Sequence, residues 1–127
     1  MKAVVHSDHA IEQWREGVST RMLVSAQAGA DQLCIFEQWV APGAGAPTHH
    51  HSVEEVLMVI VGDAELWLDG TSLRMAAGQS FVVPARQRHG FRNVGTGQLH
   101  MHAVLASPAF EATLESTGET IRRWGRQ

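Results

Sequence analysis

The chain contains one cysteine, Cys34, in 127 residues. A single cysteine cannot form an intramolecular disulfide, which excludes the small disulfide-stabilised scaffolds of secreted proteins and suits a reducing compartment. No apolar stretch approaches the roughly 20 residues that a membrane-spanning helix needs. The first residues, MKAVVHSDHA, also lack the apolar centre of a secretory signal. We therefore expect a cytoplasmic protein that does not act at a membrane.

The chain also has little excess charge of either sign. Ten Lys and Arg against 13 Asp and Glu give a formal net charge of −3. Binding to nucleic acid needs a concentrated basic face, and the one basic block is RRWGR at 122–126, which we interpret as a solvated tail. We therefore expect no nucleic-acid partner. The length leaves room for one domain, residues 1–127.

Short apolar segments bounded by turn residues recur along the chain, a pattern typical of an all-β sandwich or barrel. Asp69-Gly70 between two such segments is a strong hairpin signal. The pattern predicts a barrel core at about 18–106, with both terminal arms outside it and a short C-terminal helical segment at 110–114. The predicted strands are 18–25, 33–40, 54–61, 64–68, 72–76, 79–83, 89–93 and 99–106.

Two segments carry the residues that suggest chemistry. The first, GAGAPTHHHSVEEVLMVIVG at 43–62, contains His49, His51 and Glu55 between a Gly/Pro loop and an apolar run. The second, GQSFVVPARQRHGFRN at 78–93, contains His89 after a Pro-led turn. Imidazoles and a carboxylate grouped in this way are suitable ligands for a borderline divalent metal ion.

Both segments resemble the paired motifs of the cupin family, and in particular the small single-domain cupins of the conserved-barrel kind. The first matches Gly, five residues, His-x-His, three residues, Glu, six residues and Gly. The second matches its partner motif, except that Arg86 stands where the family usually has glycine. The resemblance implies a single jelly-roll β-barrel. It also implies one divalent transition metal ion (Fe, Mn, Ni, Co or Zn) held by His49, His51, Glu55 and His89.

Strand geometry supports the same residues. Side chains alternate between the two faces of a strand, so His49 and His51 share a face and His50 points the other way. His49 and Glu55 would lie about 20 Å apart on one straight strand, so the chain must turn between His51 and Glu55. Glu54 is the rival carboxylate, but it has the opposite parity and the wrong spacing to Gly62.

Several further residues are candidates for the wall of a pocket beside the metal. Phe91 shares parity with His89, while Leu57 and Val59 share parity with Glu55. His100 and His102 face one side of a predicted strand, and the sequence does not decide whether that side is the interior or the surface. Arg86 is a candidate for recruiting a carboxylate substrate, with a solvated loop arginine as the alternative. Replacing glycine with arginine also predicts an altered turn there.

These observations support two classes of function. The first is a metal-dependent enzyme acting on a small oxygenated molecule, with dioxygenation as the leading reaction and isomerase, lyase or decarboxylase activity as alternatives. The second is a non-catalytic protein that binds a small ligand. We also expect a homodimer, because short strands leave edges and apolar surface that a second subunit can cover. Trp39 and Trp67 are the candidates for that surface, and packing within one chain is the alternative.

Overall fold

The computed structural model describes residues 1–126. It consists of two antiparallel six-stranded sheets and two short 3-10 helices, His6–Asp8 and Ala26–Ala28. This confirms the all-β prediction, and the arrangement is consistent with a jelly roll. No helix in the described part of the chain is long and apolar enough to cross a membrane. The strands are β1 (Ile11–Arg15), β2 (Val18–Val24), β3 (Cys34–Val40), β4 (Gly45–His50), β5 (Glu55–Val61), β6 (Asp63–Leu68), β7 (Thr71–Ala76), β8 (Ser80–Val83), β9 (His89–Asn93), β10 (Leu99–Leu105), β11 (Phe110–Leu114) and β12 (Thr120–Arg123).

The first sheet has the order β1-β2-β3-β10-β5-β8, and the second has the order β12-β11-β4-β9-β6-β7. The chain crosses from the first sheet to the second after β3 and returns between β4 and β5. Strand β10 shows the pattern that this packing requires. Its odd-numbered residues are buried and its even-numbered residues are partly exposed, since only one face of the sheet contacts the other sheet.

The core lies between the two inner faces. Burial of aliphatic and aromatic side chains is the main favourable term in folding, at about 25 cal/mol per Å² of apolar surface. Fully buried residues include Leu66 from the second sheet and Leu99 and Met101 from the first. Cys34 is also fully buried. Burial and the charge of Glu55 raise the pKa of its thiol to about 12, so this cysteine stays protonated and behaves as a small apolar residue.

The predicted helical segment at 110–114 is wrong. Residues Phe110–Leu114 form β11, with Phe110 and Ala112 buried and Glu111 between them on the other face. This strand pairs with β12 and with the end of β4. The sheets also extend beyond the expected barrel core of 18–106, because β1 joins the first sheet and β11 and β12 join the second.

A glycine next to one candidate metal ligand shows how closely the second sheet is packed. Gly90 follows His89 in β9, and the ring of Trp67 from β6 lies directly over it. A Cβ at position 90 would collide with this ring and with the Ala46 backbone carbonyl. The Trp67 ring is itself fixed, because its Nε1 donates a hydrogen bond to Thr48 Oγ1 at 2.9 Å. Trp67 is therefore packed within its own chain.

Replacing Gly90 by alanine is expected to destabilise the protein by about 2 kcal/mol or more, because a crowded interior forces the backbone to shift. Chemical denaturation of Gly90→Ala against the wild type measures the loss. Gly97→Ala is the matched control, since Gly97 has open space where a Cβ would lie. Equal stability of the Gly90 variant and the control would contradict this packing.

Candidate metal centre

The four predicted ligands come from both sheets and meet between them. His49 on β4 and His89 on β9 are register partners in the second sheet. Glu55 is the first residue of β5 in the first sheet, and His51 lies in the crossing segment just after β4. The predicted turn between His51 and Glu55 is therefore present, at the point where the chain passes from one sheet to the other. Ligand atoms of all four residues lie within 4.8 Å of one another.

The centre is buried. His51, Glu55 and His89 are 2%, 3% and 1% exposed. Glu55 Oε1 lies 3.1 Å from His89 Nε2 and 3.3 Å from His51 Nε2. The rings of His49 and His89 have their centroids 4.3 Å apart. A single carboxylate oxygen thus faces two imidazole nitrogens in a space that excludes bulk water.

Backbone carbonyl groups orient the three imidazoles. His49 Nδ1 lies 2.7 Å from the Pro47 oxygen, and His89 Nδ1 lies 2.9 Å from the Gln87 oxygen. His51 Nδ1 lies 2.6 Å from the Glu111 oxygen, which belongs to β11. A carbonyl oxygen can only accept, so each Nδ1 carries the hydrogen and donates it. In the neutral imidazoles this leaves the Nε2 lone pair free for a metal, the arrangement typical of metal-binding histidines.

The electrostatics of the centre favour a cation. Burial, together with the neighbouring His89 and His51, lowers the pKa of His49 to about 3, so this ring is neutral. Burial alone would raise the pKa of Glu55, but the adjacent His51 and His89 lower it to about 2, and the carboxylate is ionised. Burial likewise opposes charge on His51, yet the Glu55 carboxylate outweighs it and raises the pKa of His51. The ionised Glu55 carboxylate is therefore the group that favours positive charge at the centre.

These observations test whether a metal ion suits the site. His51 Nε2 is a buried polar atom without a hydrogen-bond partner in the described structure. A carboxylate oxygen that faces imidazole lone pairs is repelled unless a proton or a metal ion lies between them. Three imidazoles and one carboxylate suit Fe, Mn, Ni, Co or Zn as divalent ions. The residues therefore fit a transition metal, and His49, His51, Glu55 and His89 are the set that would hold it.

The two rejected neighbours lie outside this group. Glu54 is exposed, and His50 follows His49 directly in β4, so its side chain leaves the other face of the strand. Neither belongs to the cluster formed by the four ligands.

A cavity opens from the centre. His49, Glu55 and His89 form part of its wall, so any ion held by the four ligands would face this space. Gln38 contributes an amide, whose Nε2 donates to Thr20 Oγ1 at 3.0 Å. The rest of the wall is largely apolar and includes Trp14, Phe36, Ala46, Leu57, Phe91, Phe110 and Ala112.

The predicted pocket residues divide into two groups. Leu57 and Phe91 line the cavity, whereas Val59 lies deeper in the core and is 1% exposed. His100 and His102 do not line it, because the even-numbered residues of β10 face outward. On that outer face His100 Nε2 lies 2.9 Å from Glu37 Oε1, and His102 Nε2 lies 3.7 Å from the same oxygen.

Arg86 also lies away from the cavity and has a structural role. Its side chain is exposed, and its backbone has a φ of 67°. The arginine therefore adopts the left-handed conformation that glycine adopts without strain. Its backbone N–H donates to the His51 carbonyl at 2.7 Å. This bond ties the segment before His89 to the segment that carries His51.

Sequence reasoning missed the residues of the cavity wall that lie in the terminal strands. Trp14 and Arg15 belong to β1, Phe110 to β11 and Arg123 to β12. The available signal was period-2 alternation in 110–114, where Phe110 and Ala112 share a face. The helix-forming residues Glu111, Ala112 and Leu114 in the same segment indicated the opposite.

A family model described as the cupin domain matches residues 36–105, which is more than half of the chain and includes all four candidate ligands. The chain belongs to the cupin family. This confirms the resemblance seen in the sequence motifs, and the two-sheet architecture is the one expected for a small cupin.

Two comparisons involve proteins of polyketide synthesis. The polyketide synthase CurC of Streptomyces cyaneus is 35% identical over 83 residues, covering 65% of this cupin and 51% of that protein. The structure of the polyketide cyclase RemF from Streptomyces resistomycificus has a TM-score of 0.73 at 23% identity and covers 100% of this chain and 87% of that chain.

A third comparison supports the fold. The RmlC-like cupin from Shewanella frigidimarina has a TM-score of 0.72 at 25% identity, with 86% of this chain and 92% of that chain covered. The cupin described here spans about half the length of the curated relatives it matches.

The wild type is expected to bind one divalent transition metal ion per chain, and His51→Ala and His89→Ala are expected to lose it, since each removes one of four converging donors. Elemental analysis after loading and desalting measures the metal content. His50→Ala is the matched control, because it removes the adjacent imidazole outside the cluster. Full metal content in both ligand variants would contradict the assignment.

Proposed function

We propose that this cupin is a metal-dependent enzyme that acts on a small oxygenated molecule, with dioxygenation as the reaction. The observation that carries the proposal is the position of His49, Glu55 and His89 in the wall of the cavity. A small molecule in this cavity would lie directly beside an ion held by these residues. Burial of the ligands would favour strong electrostatic interactions there, because water is excluded.

Four protein ligands leave two positions on a six-coordinate ion. When bound, the metal would supply Lewis-acid polarisation of a substrate oxygen and a place for dioxygen. A substrate with two neighbouring oxygens, such as a catechol, an enediol, a β-diketone or a flavonol, has the geometry to use these positions. Phe36, Leu57 and Phe91 would hold its carbon skeleton and keep water away from it.

The rest of the cavity wall favours dioxygenation over proton-transfer reactions. Isomerases and lyases commonly use a side chain that accepts a proton from carbon. Within residues 1–126, the side chains that line the cavity, apart from the candidate ligands, are apolar, amide or guanidinium groups. None of these accepts a proton near neutral pH. A dioxygenase places both atoms of O₂ in its product, so the reaction requires no separate reductant.

Non-oxidative metal chemistry on a polyketide-like β-diketone is the second candidate. The observation in its favour is the 35% identity to a protein named as a polyketide synthase. Here the metal held by the four ligands would supply Lewis-acid polarisation of the substrate without consumption of O₂, for an isomerase, lyase, decarboxylase or cyclisation reaction.

Oxygen uptake separates these candidates. The Fe-loaded wild type is expected to consume one O₂ for each molecule of a catechol, enediol, β-diketone or flavonol substrate found in a panel. Loss of a ligand should reduce the rate at least a hundredfold, since metal chemistry contributes several kcal/mol to transition-state stabilisation. Glu55→Gln and His89→Ala are the test variants, and His50→Ala is the control. Mn-, Ni-, Co- and Zn-loaded proteins identify the active metal.

Each outcome of this experiment assigns a different function. Substrate conversion without O₂ uptake would replace dioxygenation with the non-oxidative reaction. Saturable binding of a chelator without conversion under any metal would replace the enzyme with a small-ligand-binding protein. Conversion that persists in both ligand variants would contradict the metal-centred proposal altogether.

We also propose that the chain forms a homodimer through the outer face of its first sheet. Ile60 on β5 and Val82 on β8 are 41% and 53% exposed and share this face. Trp39 on β3 lies on it too, with its ring stacked on His100 at 5.3 Å between centroids. Apolar surface on a sheet face favours association with a second copy.

Light scattering is expected to give twice the 13.9 kDa mass of one chain. Ile60→Lys should shift the protein toward the monomer, because a buried unpaired charge opposes association. Leu73→Lys is the control, since Leu73 is equally exposed, at 40%, but belongs to the second sheet. A wild-type monomer at micromolar concentration would contradict the proposal.

A further inference from the structure

Two arginines line the cavity together with the metal centre. Arg15 ends β1 at the edge of the first sheet, and Arg123 ends β12 at the edge of the second. Both residues contribute to the cavity wall. Two edge strands therefore bring two positive charges to a space whose wall is apolar apart from Gln38 and the candidate metal ligands.

Arg123 is fixed by its neighbours. Its guanidinium carbon lies 4.4 Å from the centroid of the Trp14 ring, and its Nη1 lies 3.5 Å from Glu12 Oε1. Glu12 also accepts hydrogen bonds from the indole N–H groups of Trp14 and Trp124, at 3.2 and 2.8 Å. The negative charge of Glu12 is thus shared among the Arg123 guanidinium and the two indole N–H groups. The Arg123 Nε is buried and has no hydrogen-bond partner among the described residues.

Arg15 is held less completely. Its Nη1 donates a long hydrogen bond of 3.4 Å to the Gly45 carbonyl, and within residues 1–126 it pairs with no carboxylate. Burial, and after it the positive charge of Arg123, lower the pKa of Arg15. Two guanidinium groups that disfavour each other in a partly buried wall form a site where an anion is stabilised.

We propose that Arg15 and Arg123 bind a carboxylate of the substrate. The ligand class is then a small acid with an apolar or aromatic body, whose carboxylate reaches the two arginines while its oxygen pair faces the four metal ligands. Guanidinium groups suit this role because they present paired N–H donors to a carboxylate. The proposal rests on the proposed function for the oxygen pair, but the carboxylate contact depends on the arginines alone.

Arg122 provides the contrast within the same strand. Its side chain is 70% exposed and pairs with Glu111 at 3.0 Å on the other face of the sheet. Arg122 has the features of an ordinary surface arginine, because its side chain is exposed to solvent and pairs with a residue of the neighbouring strand. Arg15 differs because it faces the cavity, and no acidic residue of the described chain neutralises it.

Binding of 3,4-dihydroxybenzoate and of its methyl ester tests the proposal. The two probes share the catechol oxygens and differ in the negative charge at the far end. Calorimetric titration uses the zinc-loaded and the metal-free protein, so that no oxidation occurs. The wild type is expected to bind the acid about tenfold more tightly than the ester, since hydrogen bonds to a charged carboxylate are stronger than those to a neutral ester.

Arg15→Gln and Arg123→Gln are expected to reduce this preference, and the double variant to abolish it, while Arg122→Gln retains it. Arg15→Lys should retain part of it, because the charge remains but the paired donors are lost. Thermal denaturation confirms that each variant is folded. Equal affinities for acid and ester in the wild type, an unchanged preference in the double variant, or no saturable binding of the acid would each overturn the proposal.

The same titrations separate this inference from the proposed function. If both probes bind only to the zinc-loaded protein and the arginine variants have no effect, the metal-centred function stands and the carboxylate contact fails. If the preference for the acid depends on the arginines but is unchanged in metal-free protein and in His51→Ala, the carboxylate contact stands and chelation by the metal fails.

Discussion

The structure depends on one electrostatic constraint, the buried carboxylate of Glu55 beside imidazole nitrogens from the opposite sheet. Three carbonyl groups take the Nδ1 hydrogens of His49, His51 and His89. In their neutral form the rings would present lone pairs to a negatively charged oxygen that lies 3.1 Å from His89 Nε2 and 3.3 Å from His51 Nε2. Such an arrangement is unfavourable without a cation between the groups. Because Glu55 belongs to one sheet and His49 and His89 to the other, any cation held there links the two halves of the fold. Metal binding and the packing of the sheets are coupled for this reason.

The metal ligands were the most predictable part of the site, since the resemblance to the paired cupin motifs implied all four and strand parity agreed with His49, His51 and Glu55. The chain must turn after His51 so that Glu55 can approach the histidines, and strand parity places the His50 side chain on the face opposite to His49 and His51. The strand that carries His49 was nevertheless not predicted. In β4 a register shift between Ala46 and His49 places the two buried residues three positions apart. A bulge of this kind breaks the alternation from which strands are recognised.

The remaining errors arose where long-range contacts outweigh local preference. Residues Phe110–Leu114 contain good helix formers, yet they form β11 because they pair with β4 and β12. The Glu111 carbonyl in this strand accepts the His51 Nδ1 hydrogen. The segment that was wrongly predicted to be helical therefore orients one of the candidate metal ligands. Edge strands β1 and β12 were missed for a related reason. They have few apolar residues facing the interior, and their inward positions include Arg15 and Arg123, whose polarity indicates a surface loop when only the sequence is considered.

The location of these missed elements explains why family membership leaves the substrate undetermined. The cupin-domain match covers residues 36–105, and the four candidate metal ligands lie within it. The cavity, however, is completed by Trp14, Arg15, Phe110 and Arg123, which all lie outside that segment. The matched segment contains four residues that could hold a metal, whereas the flanking strands add two arginines and several apolar side chains to the cavity wall. A fold does not define a reaction by itself. In this cupin the strands that flank the family domain complete the cavity wall, and the two arginines are the charged residues that they contribute to it.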